Sequence, residues 1–390
     1  MFKLFNELKQ PKKIYPSLFD KRATTAGDTV LSDLFIYIVG CGGTGGYLIP
    51  QIARLISVKN TESLKVHLVV VDADDVEEKN LTRQNFVRKD LGKKKANVLA
   101  QRYSKAFGID IHAIAEYLPA STNQTLLLGW FEDVEKMIRV AQTNAATKRI
   151  IIGCVDNVNT RKAIKAAYDY FSTVNNNDTI AWIDAGNSNY AGQVILSTSL
   201  RNNGCDHKLA SFFDVFPGLL SEKVKDHPDE LSCADHALSA PQNIAANITA
   251  SNLIFNYFNI LYHNSLLLKE NLTTESPRMI GAVIEEMWSI TTNIVYFDVS
   301  TNSFKNELLL TRREETYSDF IYSDFVSSFE TSLINYRTHF KSDSEVSITI
   351  NNSAENEIEQ PQTEESENTE SVTETSAPSF CDIFDVFGET

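Results

Sequence analysis

The sequence LFIYIVGCGGTGGYLIP at residues 34–50, followed by LKVHLVVVD at 64–72, decides the fold. Residues 34–39 are an apolar run of strand length, 40–46 are rich in glycine, and 47–56 carry large apolar residues at helical spacing. Residues 64–71 are a second apolar run, which closes on Asp72. A strand, a glycine turn, a helix and a strand form a βαβ unit, and continuous apolar runs of this kind are typical of a parallel sheet.

The alternation of strands and helices continues along the chain. Further strands are predicted at 109–117, 149–154, 179–184 and 192–198, helices at 94–107, 130–146, 159–171 and 241–261, a long loop at 202–232, and a hairpin with an asparagine-containing turn at 293–310. The pattern predicts an α/β fold with a Rossmann-like, mostly parallel sheet flanked by helices and an antiparallel extension. The opening residues, rich in Lys and Pro, predict an extended arm or short helix rather than a core element.

Composition limits the class of protein. The chain has 390 residues, 43% of them hydrophobic, which is enough for a large buried core. From residue 342 onward there are 13 acidic residues and no Lys or Arg, so the formal charge of −15 belongs mainly to the tail. The near-neutral body gives no electrostatic footprint for nucleic-acid binding, and no run approaches the roughly 20 apolar residues of a membrane span. Five scattered cysteines and no secretory signal predict a cytoplasmic protein without disulfides.

The segment 341–390 predicts a disordered acidic tail, since its Ser-, Thr-, Asn-, Gln- and Glu-rich sequence cannot bury enough apolar surface to offset chain ordering. It ends in SFCDIFDVFGET at 379–390, where large apolar residues return. This end is either an unstructured terminus or a short amphipathic motif that folds on a partner. Deletion of the last residues would separate the two.

The glycine loop carries the first chemical signal. Glycines at the turn from a strand into a helix let backbone N–H groups and the helix dipole face a phosphate group. Alone the loop is weak evidence, because a domain that binds NAD begins in the same way, with an acidic residue at the end of the next strand to hold a ribose. Asp72 occupies that place, although it lies somewhat late in the chain.

The residues after Asp72 distinguish these alternatives. Asn80, Arg83 and Gln84 lie in a loop, and Lys93, Lys94 and Lys95 stand at a predicted helix start. Lysines there oppose the helix dipole, so an anionic ligand is a reason for them that local structure does not supply. A solvated basic face is the alternative.

Asp156 and Asn157 end the apolar strand at 149–154, at the edge where open α/β sheets bind ligands. An Asp in that place can hold Mg²⁺ through one carboxylate while the metal bridges phosphate oxygens. The alternative is an N-cap for the following helix, which either residue could provide.

Taken together, the motifs GxGGxG, an Asp after the second strand, NLxRQ, GxxK and a strand ending in DN resemble the ThiF/MoeB/ubiquitin-activating superfamily in order and spacing. The resemblance covers about residues 34–200 well. It implies 1–33 as an N-terminal arm, 34–200 as an ATP-binding adenylation domain, and 201–340 as a crossover loop, a long helix and strands that complete the same domain. The segment from Ser232 looks similar to the crossover-loop region of the shorter ThiF-like proteins of the PRTRC plasmid-associated system.

The resemblance also implies a role for each matched residue. Asp72 would hold the ribose of ATP, Asn80 and Arg83 would lie along the phosphates, Lys95 would be the family lysine, and Asp156 would face Mg²⁺ while Asn157 contacts the adenine side. The implied catalytic set is Arg83, Lys95, Asp156 and Cys233; the implied nucleotide contacts are Gly40, Gly42, Gly43, Gly45, Asp72, Asn80, Arg83, Lys95, Asp156 and Asn157.

Similar enzymes adenylate the C-terminal carboxylate of a ubiquitin-like or sulfur-carrier-like protein, in some cases before transfer to a cysteine such as Cys233. A homodimer and a conjugating-enzyme-like partner are implied as well. Two departures stand against the pattern: the R-Y-x-R-Q arm signature is absent, with Lys21 and Arg22 as substitutes, and the two C-x-x-C zinc pairs are absent. A Cys₂His₂ zinc site is conceivable from Cys205, His207, Cys233 and His236, but the single residue between Cys205 and His207 leaves little room for both to bind one ion. A non-catalytic ATP-binding module of a plasmid-associated or defence assembly is the alternative function.

Overall fold

A computed structural model describes residues 14–19, 32–59, 64–139, 147–173, 179–198, 207–220, 243–271 and 286–312. The tail 341–390, its motif at 379–390, and Cys205, Cys233 and His236 lie outside the described residues. Within the described ranges, no helix combines the length and apolar character needed to cross a membrane.

The described strands form one sheet. Its members are β1 (Ser32–Val39), β2 (Leu64–Val71), β3 (Ile111–Ile114), β4 (Thr147–Gly153), β5 (Thr179–Asn187), β6 (Ala191–Thr198), β7 (His207–Leu209), β8 (Ile294–Asp298), β9 (Ser303–Glu307) and β10 (Leu310–Arg312). The order is β10-β7-β6-β5-β4-β1-β2-β3, and β8 pairs with β6 and β9. Strands β3, β2, β1, β4 and β5 pair in parallel, and the others are antiparallel. The predicted mostly parallel sheet with an antiparallel extension is confirmed.

Helices cover both faces of this sheet. They are α1 (Gly43–Val58), α2 (Lys95–Phe107), α3 (Gln124–Ile138), α4 (Val158–Thr173), α5 (Phe212–Val215) and α6 (Ile244–Asn271). Apolar residues of α1, α2 and α6 form one core, and those of α3, α4 and α5 form the other. Strand β1 is buried throughout and alternates between the two: Ile36 faces the first core and Tyr37 the second. Burial on both faces explains why the sequence of this strand is a continuous run of apolar residues.

Several sequence-based boundaries are wrong. Helix α1 begins at Gly43 rather than at 47, β3 spans only Ile111–Ile114 of the predicted 109–117, and α6 continues to Asn271 beyond the predicted end at 261. Helix α3 begins at Gln124, because the side chain of Asn123 accepts the backbone N–H of Leu126 and caps the helix six residues before the predicted start at 130. The predicted loop 202–232 contains β7, α5 and a 3-10 turn at Pro217–Leu220 within its described part. Phe212 and Phe213 are buried there against Trp182, so the segment contributes to the second core.

The segment 14–19 is also part of the core, contrary to the prediction of an arm. Ile14 pairs with Ile290 through two backbone hydrogen bonds, and Ile14, Leu18 and Phe19 are buried. Leu18 donates its N–H to the hydroxyl of Ser265 on α6. The Lys- and Pro-rich neighbourhood in the sequence concealed these contacts. The hairpin prediction is confirmed, with Asn302 at φ 50° in the turn between β8 and β9.

The carboxyl ends of the parallel strands lie level. Val39 is in register with Val71 of β2 and with Gly153 of β4, which is itself level with Asp184 of β5. The loops that follow β1, β2 and β4 therefore meet at one edge of the sheet. Ligands of open α/β sheets bind at this edge.

Candidate functional site

The glycine loop between β1 and α1 is packed too closely for side chains. Gly40 has φ +94°, and a Cβ on it would lie 2.5 Å from the backbone oxygen of Cys154. A Cβ on Gly45 would lie 1.9 Å from the backbone oxygen of Gly40. Helix α1 begins at Gly43, and within the described part of the chain no side chain caps it. The first N–H groups of a helix have no partner within the helix, so this turn can receive an anion.

We expect Gly45→Ala to lower the free energy of unfolding by about 1–3 kcal/mol, because the added methyl group meets fixed backbone and forces the loop to move. Urea unfolding measures the change. Gly129→Ala is the matched control: Gly129 lies in α3, an added Cβ would have no neighbour within 4 Å among the described residues outside its own helix, and alanine is the better helix former. A Gly45→Ala protein as stable as the control would contradict this account of the loop.

Asp72 lies directly against the glycine loop. Its carboxylate accepts the backbone N–H of Cys41 at 2.6 Å and that of Asp74 at 2.9 Å. Burial raises the pKa of Asp72, and the ammonium of Lys95 acts in the opposite direction. The carboxylate is thus fixed in orientation and keeps lone pairs beyond the two that these bonds use.

Lys95, at the first position of α2, reaches the same place. Its ammonium is 2.7 Å from a carboxylate oxygen of Asp74, whose other oxygen accepts the hydroxyl of Tyr117 at 2.8 Å. Burial alone would lower the pKa of Lys95, but the negative charges of Asp72 and Asp74 outweigh burial and raise it. The lysine is therefore held as a cation beside Asp72.

The lysine cluster is only partly as expected. Lys94 donates to the backbone oxygen of Ala73 and pairs with Asp75 at 3.1 Å, and Lys95 pairs with Asp74. The inference that local structure supplies no reason for these lysines is wrong, since the acidic residues after β2 pair with both. Lys93 is exposed.

Arg83 and Asp156 form the second charged part of the site. Arg83 is half-buried in the loop after the 3-10 turn Glu78–Asn80, and Asp156 is exposed in the loop after β4. Burial lowers the pKa of Arg83, and the negative charge of Asp156 opposes the shift. The two side chains therefore interact electrostatically.

Two other predicted nucleotide contacts, Asn80 and Asn157, hydrogen-bond to backbone N–H groups of the protein. The side-chain oxygen of Asn80, which is 2% exposed, accepts the backbone N–H of Glu77 and closes the turn that leads to Arg83. The side-chain oxygen of Asn157 accepts the backbone N–H of Thr160 and caps α4. Of the two residues that could cap this helix, Asn157 does so.

Further residues line the loop without having been singled out as site residues. Gln84 is 8% exposed, its amide nitrogen lies 3.7 Å from the Cβ position of Gly42, and its side-chain oxygen has no hydrogen-bond partner among the described residues. Asn247 of α6 lies against Gly43, where an added Cβ would come 2.4 Å from its amide nitrogen. The space above Gly43 is therefore filled by protein. Asp74 and Tyr117 hold Lys95.

Burial disfavours the thiolate form of the two described cysteines. Cys41 and Cys154 lie at the ends of β1 and β4, and burial raises the pKa of both thiols. Protonated, buried thiols are poor nucleophiles. Cys233 and its weak zinc partners Cys205 and His236 lie outside the described residues, and of His207 only the backbone is described. Among the described residues, no group of three side chains is arranged to hold a metal ion.

The sequence of this chain, from the N-terminal core segment through α6, matches one family. The model of the ThiF family fits residues 19–274. The chain belongs to the ThiF family. The match includes every described member of the site, from the glycine loop to Asn247. The matched region of this ThiF-family protein therefore contains the glycine loop, Asp72, Arg83, Lys95 and Asp156.

Solved structures were compared with this ThiF-family chain. The crystal structure of PaaA has 14% sequence identity and a TM-score of 0.39, over 71% of this chain and 64% of that chain. E. coli MccB has 17% identity and a TM-score of 0.39, over 73% of this chain and 68% of that chain. The structure of E. coli MccB with ATP has 17% sequence identity and a TM-score of 0.38, over 72% of this chain and 64% of that chain. The chain thus spans less than two thirds of the PaaA chain. No curated protein matches it significantly.

Proposed function

We propose that the protein is an ATP-dependent adenylating enzyme that activates a carboxylate. The observation that carries the proposal is the arrangement around the glycine loop: Asp72 is bonded to the loop, Lys95 is held as a buried cation beside it, and Arg83 interacts with Asp156. ThiF-family membership supports the same chemistry. A protein that binds NAD for hydride transfer gives these cations and Asp156 no role.

The residues around the loop fit a nucleotide. The start of α1, which no described side chain caps, offers N–H groups to a phosphate, and among the described residues that face Gly42 the nearest atom to its Cβ position is the amide nitrogen of Gln84 at 3.7 Å. The remaining lone pairs of Asp72 suit ribose hydroxyls. Gln84 presents a buried side-chain oxygen without a partner among the described residues, and such an acceptor is costly unless a ligand or water donates to it.

The reaction needs positioning and charge neutralisation. A carboxylate oxygen of the acceptor attacks the α-phosphorus of ATP, the new carbon-oxygen-phosphorus linkage forms, and the bond to the bridging oxygen breaks with release of pyrophosphate. The negative charge that grows on the leaving oxygens is met by the guanidinium of Arg83 and the ammonium of Lys95. Fixed cations at developing charge supply much of the rate acceleration of such enzymes.

Asp156 is the residue we propose to hold Mg²⁺. A protein site for Mg²⁺ in phosphoryl chemistry often has only one or two carboxylates, with phosphate oxygens and water completing the shell, so one exposed aspartate is sufficient. When bound, the ion neutralises phosphate charge. Asp156 also orients Arg83 through their electrostatic interaction.

We further propose the finer identity that the sequence motifs imply. The acceptor is the C-terminal carboxylate of a ubiquitin-like or sulfur-carrier-like protein, and Cys233 is a candidate for a later acyl transfer. A homodimer and a conjugating-enzyme-like partner complete this proposal. These parts rest on the resemblance of the sequence motifs, since Cys233 lies outside the described residues.

ATP–pyrophosphate exchange tests the proposal. Purified protein is mixed with ATP, Mg²⁺, labelled pyrophosphate and small β-grasp proteins or short peptides; we expect label in ATP only when an acceptor with a free C-terminal carboxylate is present. The same acceptor with an amidated C-terminus is the matched control. ATP binding without exchange for any acceptor would instead favour a non-catalytic ATP-binding module. Failure to bind ATP would contradict both functions.

A further inference from the structure

Asn247, in the first turns of α6, is 1% exposed and lies against the glycine loop. An added Cβ on Gly43 would come 2.4 Å from its amide nitrogen and 2.6 Å from its amide oxygen. Contacts this short mean that a side chain at Gly43 would require the amide of Asn247 to move. The first turn of α1 is thus shaped by a residue of a distant helix.

The amide of Asn247 is fixed on both sides. Its oxygen accepts the amide N–H of Asn187 at 2.9 Å, and its nitrogen donates to the backbone oxygen of Arg83 at 3.4 Å. Asn187 in turn accepts the hydroxyl of Thr44 at 3.1 Å. The carbonyl of Arg83 can only accept, so Asn247 turns its N–H toward Arg83 and its oxygen toward the amide N–H of Asn187, and the oxygen of Asn187 is then left to accept the hydroxyl of Thr44.

These bonds connect four segments that border the site. Thr44 belongs to the glycine loop and the start of α1, Asn187 ends β5, Asn247 belongs to α6, and Arg83 carries the guanidinium of the proposed site. We call Thr44, Asn187 and Asn247 the amide bridge. Two further described contacts join the Arg83 loop to the turn: the amide nitrogen of Gln84 lies 3.7 Å from the Cβ position of Gly42, and the amide of Asn85 donates to the backbone oxygen of Gly46 at 2.9 Å.

We propose that Asn247 is a positioning residue of the nucleotide site, which sets the spacing between the glycine loop and the loop of Arg83. The inference rests on the proposed ATP site and concerns its geometry. Asn247 is buried and its polar atoms are bonded within the protein, so it acts on the ligand through Gly43 and Arg83 and does not touch it. A displacement of about 1 Å between phosphate-binding groups is enough to cost two orders of magnitude in rate.

Calorimetric titration with ATP and Mg²⁺ tests the inference at a temperature where each variant is folded. We expect Asn247→Ala and Asn247→Asp to raise the Kd of ATP about tenfold or more. Aspartate keeps the shape and the acceptor toward Asn187 but turns an anionic oxygen toward the carbonyl of Arg83, so it should not rescue binding. Asn252→Ala, the same change at an exposed position of α6, should stay within about twofold of the wild type.

A double-variant cycle gives a readout that general loss of stability would not move. Gly43→Ala should weaken ATP binding strongly in the wild type and much less in the Asn247→Ala protein, since the added methyl group then has room. Asn187→Ala, which removes the hydrogen-bond partner of the Asn247 oxygen, provides a second variant if Asn247→Ala does not fold, and should also raise the Kd.

The outcomes separate the inference from the function. A wild type that binds ATP together with an Asn247→Asp variant of unchanged affinity would overturn the amide bridge as a positioning device and leave the ATP site intact. Equal effects of Gly43→Ala in both backgrounds would do the same. A wild type that does not bind ATP would overturn both the inference and the proposed function.

Discussion

Arg83→Ala is expected to lower the rate of ATP–pyrophosphate exchange by about 100-fold to 1000-fold. The substitution removes the half-buried guanidinium that we propose neutralises the negative charge growing on the leaving pyrophosphate. The fold should persist, since Asn80 and the backbone bonds of the turn hold the loop. Exchange kinetics with a saturating acceptor, together with a urea unfolding curve, measure both effects.

Arg88→Ala is the control for that variant. Arg88 lies five residues further in the same segment, is exposed, and pairs with Glu78 at 3.0 Å on the surface. Loss of this side chain should leave the exchange rate within about twofold of the wild-type rate, because exposed ion pairs contribute little to stability. An Arg83→Ala enzyme with more than half of wild-type activity would rule out a role of Arg83 in charge neutralisation.

Arg161→Met is expected to lower the free energy of unfolding by about 3–5 kcal/mol, because it leaves a buried carboxylate without its cation. Arg161 and Asp184 are 0% and 1% exposed and lie 2.9 Å apart, and Arg161 also donates to the backbone oxygen of Ala185. Burial raises the pKa of Asp184 to about 6, and Arg161 opposes that shift. Urea unfolding at pH 8, where the carboxylate is charged, measures the loss.

A surface pair on the same helix supplies the comparison. Lys165 pairs with Asp169 four residues later, and Lys165→Ala should cost at most about 0.5 kcal/mol. The double variant Arg161→Met, Asp184→Leu should recover part of the loss, since an apolar pair needs no desolvation of charge. A single variant Arg161→Met that unfolds like the wild type would contradict the assignment of this pair as a buried ionic contact.

Much of the parallel half of the sheet was predictable because its signals are local. β2 was predicted with its observed bounds, and β1 within two residues, since a strand buried on both faces is a continuous apolar run. Helix α1 begins at Gly43, four residues before the predicted start at 47, because the last residues of the glycine-rich stretch are already helical. The described part of 202–232 was predicted wrongly, because its polar neighbours concealed the short run that buries Phe212 and Phe213.

The site was predictable where residues follow a strand end and not where they meet across the fold. Asp72 and Asp156 lie at the carboxyl edge for the reason given by the sequence pattern. Asn247 is 164 residues from Arg83, and an amide in a helix gives no signal of what it contacts. Asp74 carried a signal that was available: an acidic residue two positions after Asp72, opposite a basic helix start.

The contacts of residues 14–19 and of Asn247 impose an order on biosynthesis. The N–H of Leu18 can form its hydrogen bond only once Ser265, 247 residues later, has been synthesised, and Gly43 gains its contact with Asn247 only once α6 has been synthesised. While the chain emerges from the ribosome, the parallel strands can assemble early, but the turn above Gly43 stays open until that late helix has been translated and docked. The arrangement proposed to hold a nucleotide at this turn is therefore complete only after α6, which ends at Asn271, has been translated, and a nascent chain released before α6 would carry the signature motifs without that arrangement.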